Sequence, residues 1–441
     1  MMPGQPAHDA CGANSDGARR RQMREEPEPC TLRPSSGRFF DGRKDVGIME
    51  DGSAGRPGEF QVVYQVQTDP VIGRATTGGT EAWRARGRFL GEVPAPRGGR
   101  ALEATESAGG LEVRAALSLP VQASLAAIVD ALESGWPPDV AVRIVHVELP
   151  SRLEEHLPGP RYGVPELRRR FATRFRPLLL AAVDGVSDDL DDWGAALRVQ
   201  WLAGVDILVE GRGEDTADGS ETMRRLERAG LEASRIALDT PRRPLYAARL
   251  FPSGRDLVAQ AERLRDAGAE ALVVEWTVSD LDALAAVARL PDSPVIVAMA
   301  KPREAPAATP AVLAPAVLFG ELVRAAGADV SGYDIAAPEG RAAPLAATDQ
   351  VSVGEALAAS GFRRAAWPAP SFGIHPGLLP SLVRELGPDI VIDASVAIHG
   401  HPGGPRAGAA AFTQALDRLS GYVGPLPDEL AQALARWGVA A

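Results

Sequence analysis

From residue 177 onward, short runs of consecutive apolar residues alternate with longer stretches whose apolar positions recur every three to four residues. The first pattern predicts strands buried on both faces, the second helices with one buried stripe. Strands are predicted at 178–183, 206–210, 235–238, 271–275, 295–299, 329–335, 365–368 and 390–393. Several are announced by one recurring signal, a helix-ending glycine followed closely by an acid: Ala203-Gly204-Val205-Asp206, Ala267-Gly268-Ala269-Glu270, Ala326-Gly327-Ala328-Asp329 and Leu386-Gly387-Pro388-Asp389. Glycine there accepts the left-handed cap that turns a helix back into the next parallel strand. Eight apolar strands with helical crossovers predict an α/β fold, a (β/α)8 TIM-type barrel whose chemistry sits on the loops after the strands.

Ahead of the barrel the texture differs. Phe60-Gln61-Val62-Val63-Tyr64-Gln65-Val66 mixes apolar and polar residues as a strand does, and 111–117 alternates more clearly. Residues 124–133 place Ala126, Ile128, Val129 and Leu132 on one side of a helix, and a further strand is predicted at 140–149. This predicts a small N-terminal α+β domain with an antiparallel, ferredoxin-like sheet. The expected boundaries are a tail at 1–57, this domain at 58–157, the barrel at 158–425 and a helical tail at 426–441. The first segment lacks apolar periodicity and is expected to be disordered, with Met49 as an alternative start.

Composition narrows the function. A net charge of −11 argues against general affinity for nucleic acid or anionic membranes, which need a positive surface. No eighteen-residue apolar run and no hydrophobic leader core occur, so a cytoplasmic protein is expected. The two cysteines, Cys11 and Cys30, both fall in the tail, which leaves no thiolate metal site. There is no Walker loop, HExxH, GxSxG elbow or zinc-ligand spacing.

Five motifs in order carry a family resemblance. Gly159-Pro160-Arg161-Tyr162-Gly163-Val164, Arg176-Pro177-Leu178-Leu179 and Ala203-Gly204-Val205-Asp206 resemble the start of the RuBisCO large-subunit barrel. Gly373-Ile374-His375-Pro376-Gly377 and His399-Gly400-His401-Pro402-Gly403-Gly404, followed by Ala407-Gly408-Ala409, resemble its seventh and eighth strand loops. The His-Gly-His-Pro form is most similar to the RuBisCO-like, non-carboxylating branch. The resemblance spans about residues 60–425 and implies a homodimer with active sites at the subunit interface.

Departures from the family define the expected chemistry. Where the family has Lys-Pro-Lys after strand one, this chain has Asp184-Gly185-Val186. Where it has Lys-Asp-Asp-Glu, with a carbamylated lysine and two acids on magnesium, this chain has Val209-Glu210-Gly211-Arg212. Magnesium needs several hard oxygen ligands, so no metal and no cofactor are expected here. Strand five ends in Ala298-Met299-Ala300-Lys301 rather than His-Arg, and the histidine of strand six is missing. Glu339-Gly340-Arg341 stands where the family has a mobile lysine loop. Phe372 replaces a glycine between Ser371 and Gly373, and Ser395-Val396-Ala397 replaces the glycines that approach a phosphate. Carboxylation of ribulose bisphosphate is not expected.

Each candidate residue has two readings. Asp184 and Glu210 beside Arg212 form either a metal-free acid/base site with an anion anchor or a salt bridge filling a vacated metal site. Lys301 is either a cation of the rim or a solvated loop lysine. Trp276 either walls a pocket or caps the core. His399 and His401 stand at a metal-ligand spacing, but shaping their turn is the commoner role. Arg212, Arg341, Ser371, Gly373 and Ser395 are the candidate anion or phosphate contacts. Together these predict either an isomerase, enolase or lyase acting on a small phosphorylated or carboxylated keto compound, or an inactive relative kept for binding a ligand or a protein.

Overall fold

The computed structural model describes residues 59–67, 99–107, 110–119, 123–134, 136, 141–149, 155–173, 175–183, 189–211, 219–240, 243–251, 256–301, 311–336, 345–359 and 363–439. The expectations for the 1–57 tail, Asp184, Arg212 and Arg341 lie outside these residues.

β1 (Glu59–Gln67), β2 (Arg100–Ser107), β3 (Gly110–Ser118) and β4 (Val142–Glu148) pair antiparallel in the order β4-β1-β3-β2, the ferredoxin-like arrangement. Alternate residues Phe60, Val62, Tyr64, Val113, Ala115 and Leu117 are buried, in one core with Leu125, Ile128, Val129 and Leu132 of the helix Leu125–Glu133. β2 escapes sequence reading because it is an edge strand with no buried alternation among its described side chains.

The second sheet is all parallel. It runs β12-β11-β9-β8-β7-β6-β5-β13 and contains β5 (Leu178–Val183), β6 (Ile207–Glu210), β7 (Leu245–Leu250), β8 (Ala271–Trp276) and β9 (Val295–Ala300). β10 (Ala311–Leu313) leaves this sheet and adds to β4 of the first as a fifth, parallel strand. β11 (Val330–Asp334), β12 (Trp367–Ser371) and β13 (Val391–Asp393) complete the eight, and β12 and β13 lie side by side to close the ring. Seven of the eight strands fall where predicted. The third does not: residues 235–238 belong to the helix Ser220–Asp239, and the strand is Leu245–Leu250. Arg249 interrupts the apolar run of the true strand, whereas Ile236 and Leu238 merely continue a helical stripe.

The recurring Gly-x-acid signal has a physical explanation. Gly204, Gly268, Gly327 and Gly387 all take positive φ. Their acids gather at the amino-terminal end of the barrel around a plug helix, Gly163–Arg170, whose Leu167 closes the inner core. Asp389 accepts from Arg168 (2.6 Å), Glu270 holds Arg170 through two bonds (3.0 and 2.7 Å), and Asp206 holds Arg176 likewise (2.8 and 2.7 Å). Asp329, fully buried, accepts the N–H groups of Tyr162 (2.7 Å), Gly163 (2.9 Å) and Ile296 (3.0 Å). The negative charge thus meets the orphan donors at the start of the plug helix.

Side chains bridge the two sheets' elements. Asp282 of the barrel accepts from the first N–H of Leu125–Glu133 (2.7 Å), Arg143 pairs with Asp349 (2.5 Å), and Glu321 accepts from Val147 N (2.9 Å) and bonds His146. The Glu321 bond raises the His146 pKa. Stability from this contact is therefore present below the usual histidine range and is lost as pH rises through the folded value.

Candidate active site

Strand periodicity decides which side chains reach the barrel mouth. Residues 178, 180, 207, 209, 245, 247, 271, 273, 295, 297, 330, 367, 369 and 391 form the inner core. Continuing the same alternation toward the carboxyl ends points Ala182, Arg249, Glu275, Met299, Asp334, Ser371 and Asp393 inward. An added Cβ at Gly332 would meet the Met299 sulfur at 2.3 Å, so thioether fills the space between β9 and β11.

Arg249 is the one cation of this set, its side chain 8% exposed. Its guanidinium reaches across to β6, where Nε donates to the carbonyls of Glu210 (3.0 Å) and Gly211 (2.9 Å) and Nη2 to Glu210 (2.6 Å). Nη1 lies 3.2 Å from the Glu275 carboxylate on β8. Glu210 has the opposite parity. It faces the helix Ser220–Asp239, where its carboxylate accepts from Thr222 Oγ1 (3.2 Å), Arg249 N (3.0 Å) and Arg225 (3.5 Å). Burial pushes its pKa up, against the Arg249 N–H and the Arg225 charge. Glu210 therefore stands behind the sheet and not in the mouth, because a one-residue offset on a strand reverses the face.

The remaining rim is rich in carboxylates that hold hydroxyls. Ser371 Oγ donates to Asp334 (2.8 Å), with Tyr333 O at 3.2 Å. Ser395 Oγ donates to Asp393 and accepts from Ala182 N (2.8 Å), and Ser395 N donates to Asp393 (3.1 Å). Each candidate serine thus spends its only hydrogen on a neighbouring acid. The β12 loop keeps a left-handed backbone at both Phe372 (φ 61°) and Gly373 (φ 71°). For phenylalanine this costs on the order of 1 kcal/mol, a strain that collects at functional sites. Val396 is exposed and Lys301 follows β9 at the rim, its N–H donating to Trp276 O (2.9 Å). Trp276 is buried edge-on to Phe319, which makes it part of the outer core.

The histidine motifs are structural. His399 Nε2 lies 2.7 Å from Ala182 O and ties β13 to β5. Gly403 N donates to His401 Nδ1 (3.0 Å), so the proton sits on Nε2 and is given to Glu429 O (2.9 Å). His375 stacks on Trp437, the last residue of the C-terminal helix Asp428–Trp437, and an added Cβ at Gly377 would meet Gly438 O at 2.0 Å. The last two strand loops are shaped to seat that helix. Trp437→Ala is expected to cost about 2 kcal/mol and to raise amide exchange at 373–378 and 399–403, as read by hydrogen–deuterium mass spectrometry.

Of the residues singled out from sequence, Lys301, Ser371, Gly373 and Ser395 lie at this end of the barrel, while Glu210 lies on the outer face. Sequence reading missed Arg249, Asp334 and Asp393, and gave Glu275, at the end of the fourth strand, no role. A correct third strand combined with period-two parity would have found the first.

Comparison with known proteins gives kinship. A 2,3-diketo-5-methylthiopentyl-1-phosphate enolase of Geobacillus kaustophilus is 33% identical over 317 residues, covering 68% of this chain and 74% of that protein. The Exiguobacterium sibiricum enzyme of the same name is 33% identical over 319 residues, covering 68% and 77%. A rubisco-like protein from Alicyclobacillus acidocaldarius aligns with TM-score 0.66 at 28% identity, over 87% of this chain and all of that one. The octameric ribulose-1,5-bisphosphate carboxylase/oxygenase of Pyrococcus horikoshii, at TM-score 0.66 and 19% identity over 88% and 95%, shares the fold. No protein-family model matches.

These relatives correct one expectation. The enolases belong to a family that uses Mg2+, so the expectation of no cofactor does not stand. Loss of ligands on one strand is too narrow a ground, since oxygen ligands reach such a site from several loops. The described residues do not themselves make the site: Val209 and Gly211 bring no side-chain oxygen, Glu210 faces away, and no three His, Cys, Asp or Glu converge among them.

Proposed function

Because the chain belongs to the RuBisCO-like proteins and is not a ribulose-bisphosphate carboxylase, we propose that it catalyses an enolase-type proton transfer on a small phosphorylated keto compound of the kind named for its relatives. The observation that carries this reading is the inward set Arg249, Glu275, Asp334 and Asp393, with Lys301 on the rim, at the carboxyl end of the strands. Removing a proton beside a carbonyl needs a base within reach and a cation near the developing oxyanion.

We assign the base to Asp334. Ser371 fixes its carboxylate, and Lys301 follows the neighbouring strand β9. Asp184 is the alternative base, and Arg212 and Arg341 are the further anion anchors; Gly373 offers its backbone to the phosphate. The reading extends to a homodimer acting on an anionic metabolite in the cytoplasm, without nucleic acid or membrane partners. An archaeal rubisco of the same fold is dimeric, and among the described residues no helix is long and apolar enough to cross a membrane.

The test is incubation of the purified protein with 2,3-diketo-5-methylthiopentyl 1-phosphate in deuterated buffer, with and without Mg2+, followed by NMR. Deuterium uptake at the carbon beside the diketone, or ultraviolet absorbance of the enol, is expected. Saturable binding with neither signal would favour the second reading, a ligand-binding relative without turnover, for which the committed hydroxyls of Ser371 and Ser395 speak.

A further inference from the structure

We propose that Arg249 is the site's receptor for a two-oxygen anion, and that Glu275 occupies it in the ligand's absence. A guanidinium carries five N–H donors in a rigid plane. At Arg249 the Nε hydrogen and one Nη2 hydrogen go to the carbonyls of Glu210 and Gly211, and one Nη1 hydrogen faces Glu275. One hydrogen on each terminal nitrogen has no partner among the described residues. The side chain is 8% exposed and strand parity directs it into the mouth, so these donors have little room for bulk water. Leaving such donors unmatched is costly, and a ligand with two coplanar oxygens matches the fork.

The backbone carbonyls hold the guanidinium on the Nε side, and they carry no formal charge to neutralise it. Among the described residues Glu275 alone balances the charge within contact distance, through Oε1. An arriving carboxylate, or the s-cis enolate that a 1,2-diketone forms on losing a proton from the adjacent carbon, with one oxyanion and one carbonyl oxygen side by side, binds the terminal nitrogens and displaces or shares that contact. The enolate role rests on the enolase reading; the anion site itself does not. In the reaction Arg249 places the dicarbonyl with its acidic carbon toward the carboxylates of β11 and β13, and it stabilises the charge as the proton leaves.

The probes are oxalate, a planar dianion, and inorganic phosphate, a tetrahedral one, titrated calorimetrically into full-length protein in magnesium-free buffer. Oxalate is expected to bind more tightly than phosphate. Arg249→Lys, which keeps the charge but loses the fork, is expected to weaken oxalate at least about tenfold and to raise KM more than it lowers kcat. Glu275→Gln removes the competing charge and is expected to tighten oxalate by roughly three- to tenfold, an effect that a merely structural ion pair would not produce. Wild-type protein that ignores oxalate overturns the proposal, as does unchanged affinity in Arg249→Lys. If Arg249→Lys fails to fold, Glu275→Gln decides: tighter binding supports the site, and unchanged or weaker binding overturns it. Oxalate binding through Arg249 without any proton exchange would leave this site standing and remove the enolase function. Proton exchange with unaltered KM in Arg249→Lys would do the reverse.

Discussion

Asp329→Ala is expected to lower the stability of the fold by about 3–5 kcal/mol, far from the mouth and without touching a substrate. The carboxylate is fully buried and is the acceptor for three backbone N–H groups, at Tyr162, Gly163 and Ile296. Each orphaned buried donor costs about 1–3 kcal/mol, partly recovered by relaxation of the plug helix. Chemical denaturation monitored by fluorescence measures the loss, and a variant within 1 kcal/mol of wild type would refute the account. The same residue sets a pH dependence. Burial raises its pKa from 3.8 to about 6, against the pull of the three N–H groups. A carboxyl whose folded pKa is raised contributes most below its unfolded value, and that contribution fades as pH climbs through about 6. The stability gap between wild type and Asp329→Ala should therefore be wider at pH 4.5 than at pH 7.5, by something on the order of 2–3 kcal/mol.

Asp334→Asn is expected to slow deuterium exchange into the diketo phosphate by about 10²–10⁴-fold, the usual range for a lost general base. Asparagine still accepts the Ser371 hydroxyl, so the melting temperature should stay within about 2 °C. Glu210→Gln should behave in the opposite way. Its carboxylate serves Thr222, Arg225 and the Arg249 N–H behind the sheet, so the variant should lose about 1–3 kcal/mol of stability while its exchange rate stays within a few-fold. A large rate loss in Glu210→Gln with normal rates in Asp334→Asn would return the chemistry to the outer carboxylate.

These two carboxylates show where sequence reading reached its limit. The motif after the second barrel strand drew attention to Glu210 because neighbouring positions carry the family's ligands. Motif adjacency says that a residue is near the rim but not which face it takes, and the inner cluster at Ile207 and Val209 leaves Glu210 on the outer one. The third strand was misplaced for a related reason. Arg249 looks like a break in an apolar run, yet it is buried because carbonyls on β6 and a carboxylate on β8 receive it. Those partners lie 39 and 26 positions away along the chain, beyond what local periodicity can register.

What the sequence determined by itself was repetitive and local: apolar runs of strand length, helices of the right period, and glycines that cap helices because a left-handed turn excludes most side chains. Seven barrel strands, the antiparallel first sheet and the family resemblance followed from these. Tertiary structure alone decided that three of the acids after those glycines, Glu270, Asp329 and Asp389, clamp a plug helix, that the histidine turns seat the C-terminal helix, and that Arg249, Glu275, Asp334 and Asp393 share one mouth. Such groupings depend on which strands close beside each other and on a two-residue alternation counted from each strand's register. Both are set by the packing of the whole barrel, because only the closed ring fixes which alternate residues are inside.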